Sequence, residues 1–101
     1  MIARTWHGAV RAPDADVYHR YLLESGVPSL RATPGNRGVY VLRRIDGSEA
    51  HFLLISLWES LEAIRAFAGD DLERARYYPE DRRYLLELEP RVTHYEVLEA
   101  P

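Results

Sequence analysis

His7 and His94 are the residues whose type and position best suit proton transfer. Each sits in a short alternating segment, IARTWHG near the start of the chain and VTHYEVL near its end. If those segments are neighbouring antiparallel strands, Thr5-Trp6-His7 lies beside Thr93-His94-Tyr95. Two imidazoles, an indole and a phenol would then share one locality, and imidazole titrates near neutral pH. The alternative is that His94 and Tyr95 bond the backbone and fill a half-buried sheet face. His19, beside Tyr18 and Arg20, falls on the solvated side of a helix, and His51 opens a strand near a hairpin, where it caps an edge.

The segment ARYYPEDRRYLLE offers a second kind of chemistry. Tyr77, Tyr78 and Tyr84 can line the mouth of a pocket, with Arg82 or Arg83 drawing in an anionic substrate; such pockets are mostly apolar with a few orienting polar groups. The competing role is a tyrosine-rich clasp over the core. Trp58, in LWES, reads as core packing just before a helix cap, and Glu59 as a charge favoured by the helix dipole. No HxH or HxxxH pair and no helical His–carboxylate pair is present, so no metal site is expected. A GxSxG elbow and a Gly-rich phosphate loop are also missing, which leaves no serine triad to assemble from spacing.

The elements that must position these residues follow from periodicity. Ile2 to Val10 alternates as a strand. Pro13-Asp14 opens a helix with Asp14 as its N-cap, and Val17, Tyr18, Tyr21 and Leu22 form its apolar stripe until Gly26 and Pro28 end or kink it. Pro34-Gly35 within ATPGN suits a type II turn. Gly38 to Ile45 and Glu49 to Trp58 read as strands joined through Asp46-Gly47, which would set Arg44 opposite Glu49 and Leu42 opposite His51. Ser60 caps a helix whose Leu61, Ile64, Phe67 and Ala68 share a face. Gly69-Asp70-Asp71 breaks it and recaps a piece from Leu72 to Tyr77. Pro79 opens a further helical turn, Pro90 stops it, and Arg91 to Leu98 is the last strand. The order is strand, helix, strand, strand, helix, strand: an α+β, ferredoxin-like βαββαβ arrangement with an antiparallel sheet and helices on one face.

The strand from Glu49 is apolar on both sides, with Phe52, Leu54 and Trp58 on one face and Leu53, Ile55 and Leu57 on the other. Helices can cover only one of them. The second must be buried elsewhere, and a homodimer with two sheets face to face does so.

Length and composition bound the rest. The 101 residues make one domain, small enough to gain from an oligomer interface. A net charge of −3 gives no basic footprint and argues against a nucleic-acid partner. All thirteen basic residues are Arg, which reads most simply as genomic nucleotide bias, with carboxylate pairing at the surface as a second effect. With no cysteine there are no disulfides and no thiolate nucleophiles or metal sites, and no membrane-spanning run or signal core is evident, so a cytoplasmic location is expected.

The run from Phe52 to Glu89, with FAGDD and YYPED inside it, together with the two terminal strands, resembles the antibiotic biosynthesis monooxygenase-like domain, above all its uncharacterised members. The resemblance implies a homodimeric α+β barrel over residues 1–101. It further implies a cofactor-independent oxygenase, in which an aromatic or enolisable substrate reacts with oxygen once deprotonated. His7 or His94 would be the base and Tyr77 or Tyr78 the hydrogen-bond donor. Trp58 and Phe67 would wall the substrate, with Tyr78 and Arg83 at the entrance. No cofactor is required in that chemistry. A second branch of the family degrades heme with an Asn, Trp and His set; those positions fall near Thr5, Phe67 and Tyr77 here, and all three differ in type. The same fold also supports a non-catalytic small-molecule binding protein.

Overall fold

Strand β1 (Ile2–Arg11) leads through a 3-10 turn into helices α1 (Ala15–Glu24) and α2 (Gly26–Ala32). Strands β2 (Asn36–Asp46) and β3 (Glu49–Trp58), helix α3 (Leu61–Ala68), a single turn α4 (Asp81–Tyr84) and strand β4 (Thr93–Glu96) complete the chain. The coordinates are a computed structural model that describes residues 1–101. The four strands form one antiparallel sheet in the order β2-β3-β1-β4, the expected ferredoxin-like topology.

Alternation along the strands sorts the sheet into two faces. Residues 50, 52, 54, 56 and 58 of β3 are buried beneath the helices. Phe52 and Trp58 there join Tyr18 and Leu22 of α1, Val27 and Leu30 of α2, and Ile64 and Phe67 of α3 in one core. Burying such side chains stabilises by roughly 1.5–3 kcal/mol each. On the other face Leu53 is 36% exposed, Tyr40 57%, Leu42 43% and Tyr95 58%, while Ile55 and Leu57 are half-buried.

Local signals explain most boundaries. Ser60 Oγ accepts the Ala63 N–H at 3.2 Å and caps α3. Thr33 to Asn36 closes a turn through Asn36 N–H to the Thr33 carbonyl at 3.1 Å, with Pro34-Gly35 at its centre. The helix break falls at Ser25, and Pro28 is accommodated in the first turn of α2.

Four expectations are corrected. The β2–β3 loop is Gly47-Ser48, so Asp46 pairs with Glu49, Arg44 with His51 and Leu42 with Leu53. Gly47 is the first loop residue with φ +59, and no non-glycine residue has positive φ, which is the type II′ pattern; Asp46 keeps its place in the ladder. Asp14 occupies the N-cap of α1 without a side-chain capping bond. Residues 72–77 do not form a helix: Gly69 ends α3, and after one turn closed by Arg74 N–H to Asp71 the segment runs extended against Pro90–Val92. The turn after Pro79 ends at Tyr84, well before Pro90, because Leu85 leaves helical geometry and pairs with Val10.

Candidate functional site

The two faces of β1 hold different chemistry. Arg4, Trp6 and Gly8 share the helix side with Leu54 and Ser56 of β3; Thr5 and His7 point to the open side. Gly8 is needed for this arrangement, because a Cβ there would lie 2.4 Å from the Trp6 ring. The indole therefore lies along its own strand and forms a wall.

That wall belongs to a cavity of about 50 Å³ between the sheet, the α1–α2 junction and the segment 76–81. Trp6, Leu54, Phe67 and Tyr78 supply apolar surface, and Arg4, Arg76 and Asp81 supply charge. Arg76 is the most exposed of these charged groups and stands over the rings of Phe67 (5.1 Å) and Tyr78 (5.3 Å), marking the entrance.

Arg4 is 4% exposed and has no carboxylate partner. It donates to the Leu72 carbonyl, to the Arg74 carbonyl at 2.9 Å and to His94 Nε2 at 3.0 Å. Desolvation lowers the guanidinium to about 10, so it stays charged at neutral pH. His94 must accept from Arg4, which makes it the neutral Nδ1–H tautomer; burial, then the Arg4 charge, lower its pKa.

Asp81, also 4% exposed, lines the same cavity. Its Oδ1 accepts the Tyr18 hydroxyl at 2.7 Å and its Oδ2 the Tyr78 N–H at 2.6 Å. Burial, then the bond to Asp81, push the Tyr18 phenol well above its ordinary value, so Tyr18 remains a proton donor. The buried Tyr78 hydroxyl has no partner.

The residues expected to act together are divided. In the β1–β4 register His94 pairs with Arg4, and β4 begins opposite Thr5, so His7 lies beyond its end. Being an odd number of residues from Arg4, His7 also faces the other side of the sheet from His94; the expected proximity of the two imidazoles does not occur. His7 Nδ1 is 2.6 Å from Glu89, its Nε2 is 2.9 Å from His51, and His51 reaches Glu49 at 3.2 Å. Tyr77 donates to the Glu89 carbonyl and accepts from the Trp6 indole at 3.3 Å, beside the cavity wall; desolvation raises its pKa. Phe67 and Tyr78 line the cavity. Trp58 packs behind Phe67 and bonds Ser56 at 2.8 Å. Arg83 is exposed over Tyr84 and pairs with Glu80, away from the cavity. Trp6 belongs to the Thr5-Trp6-His7 segment expected at a site, but Arg4 and Asp81 are not marked out by residue type; an arginine centred in an alternating strand is the available signal for the first.

The chain matches the family model described as antibiotic biosynthesis monooxygenase over residues 9–75. No curated protein gives a significant sequence match. Among solved structures, the Mycobacterium tuberculosis heme-degrader MhuD, with two hemes in its active site, is similar with a TM-score of 0.66 at 20% identity, covering 100% of this chain and 99% of that one. Rv0793 from the same organism gives 0.60 at 22% identity over 98% and 96% of the two chains. A Bacillus cereus protein carrying the family's name gives 0.64 at 17% identity over 100% and 96%. At these identities the likeness is one of fold.

Proposed function

The chain belongs to the antibiotic biosynthesis monooxygenase family, and on that premise we propose that it binds the planar anion of a small aromatic or enolisable molecule in the helix-side cavity and oxygenates it without metal or flavin. One observation carries this reading: Arg4, a buried cation with no carboxylate partner, stands in the wall of an aromatic cavity. Burying a charge without a counter-charge is costly. A phenolate or enolate entering beside Arg4 supplies the missing charge where low dielectric strengthens the attraction. Trp6, Phe67 and Tyr78 flank a flat ring, the unpartnered Tyr78 hydroxyl donates to a ligand oxygen, and Arg76 attracts the anion to the entrance. A volume of about 50 Å³ is below the roughly 150 Å³ of a cavity that holds benzene, so a single ring is the upper limit and its entry requires the mouth beside Arg76 to widen.

In this chemistry the carbanion-like carbon of the bound anion gives an electron to dioxygen and the two radicals combine. Protonation yields a hydroperoxide, and loss of water leaves a carbonyl, so one oxygen atom enters the product and the other leaves as water. The protein's part is to hold the anion, exclude water and stabilise charge on its oxygen.

Heme does not fit this cavity. Its volume is far below that of a drug-sized ligand site, its lining includes no histidine or cysteine and, of its two tyrosines, Tyr18 is bonded to Asp81, and of the three positions near the heme-degrading set Thr5 faces the open side of the sheet. A non-catalytic binding protein is the second reading, favoured by neither His7 nor His94 lining the cavity. In both readings a second copy of the chain covers the open sheet face through Leu53, Ile55 and Leu57.

Oxygen uptake tests the proposal, using purified metal-free protein with single-ring hydroquinones, 1,3-diketones and tricyclic anthrones. Protein-dependent uptake on single-ring substrates is expected, falling by roughly 100-fold or more in Arg4→Met as for loss of an oxyanion stabiliser. Saturable binding without uptake on any substrate would leave the binding-protein reading in its place.

A further inference from the structure

We infer that Asp81 is the general base of this cavity, taking the proton from a substrate too weakly acidic to enter as an anion. The inference rests on the small-molecule reading above and adds a residue to it. Asp81 is the only carboxylate lining the cavity, and no histidine lines it. Each of its oxygens accepts one hydrogen bond, from Tyr18 at 2.7 Å and from the Tyr78 N–H at 2.6 Å. A carboxylate oxygen has two lone pairs, so each retains one. The two donors also fix the rotamer, as a positioned base requires.

The surroundings suit a proton acceptor in a cavity that also holds cations. The titratable or charged groups around Asp81 include Tyr18 and Tyr21 of α1, Tyr77 and Tyr78, Glu80 and Tyr84 on its own turn, and Arg4 and Arg76 of the cavity lining. None of the arginines is bonded to it. The proton leaves the substrate's α-carbon for an Asp81 oxygen, and the C–H electron pair moves onto the carbonyl oxygen as an enolate stabilised by Arg4. No oxidant is consumed in this step, so it can be measured apart from oxygenation.

The test is anaerobic deuterium exchange into the benzylic α-position of phenylacetone, followed by proton NMR in D2O with the full chain. The native protein is expected to accelerate exchange over buffer. Asp81→Asn, with binding of phenylacetone retained and its fold checked by circular dichroism, is expected to lose roughly 100-fold or more of that acceleration. No acceleration by the native protein, or equal rates in the variant, overturns the inference. Because asparagine cannot accept at both positions, Tyr18→Phe gives a second readout. Tyr18→Phe leaves the carboxylate and the ring in place, so it should keep the acceleration within about tenfold of native; a loss as large as in Asp81→Asn overturns the inference. Exchange without oxygen uptake leaves Asp81 as a base while removing the oxygenase reading; uptake on pre-ionised substrates without exchange does the reverse.

Discussion

The two faces of the sheet are built from alternate residues of the same strands, yet they resolve charge in opposite ways. On the open face His7 meets Glu89, His51 meets Glu49, and the polar groups compensate one another beside an apolar patch. On the helix face Arg4 is buried against carbonyls and a neutral imidazole, and Asp81 against a phenol and an amide. A compensated cluster is suited to being covered. A separated, uncompensated pair is suited to receiving a ligand that carries charge, and on that difference the helix side is proposed as the functional side.

The largest contrast is expected in stability. Phe52→Ala removes a fully buried ring and should cost about 3–5 kcal/mol in chemical denaturation. Leu53→Ala, one residue on, should cost far less in dilute protein, with a loss that grows with protein concentration if a second copy covers that face. A larger, concentration-independent loss at Leu53 would break the comparison.

Gly8→Ala sharpens it. The added methyl would meet the Trp6 ring at 2.4 Å and Leu85 at 2.9 Å, which should cost about 1–3 kcal/mol and displace the indole from the cavity wall. Trp6 fluorescence and its indole N–H resonance report the displacement; an unmoved indole would contradict the geometry.

The smallest effect is in pH dependence. His94 has a folded pKa below the ordinary 6.5, first through burial and then through Arg4, so the unfolded chain binds its proton more readily. Its contribution is fully present above pH 6.5 and falls as pH drops toward the depressed folded value. NMR titration of His94 should show that value rising in Arg4→Met; no change would remove Arg4 from the account of its neutrality.

Much of the framework was legible in the sequence, because strong local patterns set it. The two-faced apolar run of β3, the Ser60 cap and the Pro34-Gly35 turn each announced themselves by residue type. The loop beside Asp46 did not, since Asp46-Gly47 and Gly47-Ser48 are both good hairpin pairs and differ by one step of register. The site was less readable for a related reason: Arg4 with Trp6 and Thr5 with His7 exchange faces on a one-residue change of strand phase. Asp81, in PEDRR, has the composition of a solvated helix start. Its burial comes from Tyr18, 63 residues away, and no local pattern records that contact.

Titration of isotope-labelled protein with a cyclic 1,3-diketone, observed by NMR, tests the central claim most directly, since its enolate prevails near neutral pH. The account predicts saturable shifts at Arg4, the Trp6 indole and Tyr78, with His7 and His51 unmoved. Shifts confined to His7, His51 and Leu53 would place the ligand on the open face and contradict it.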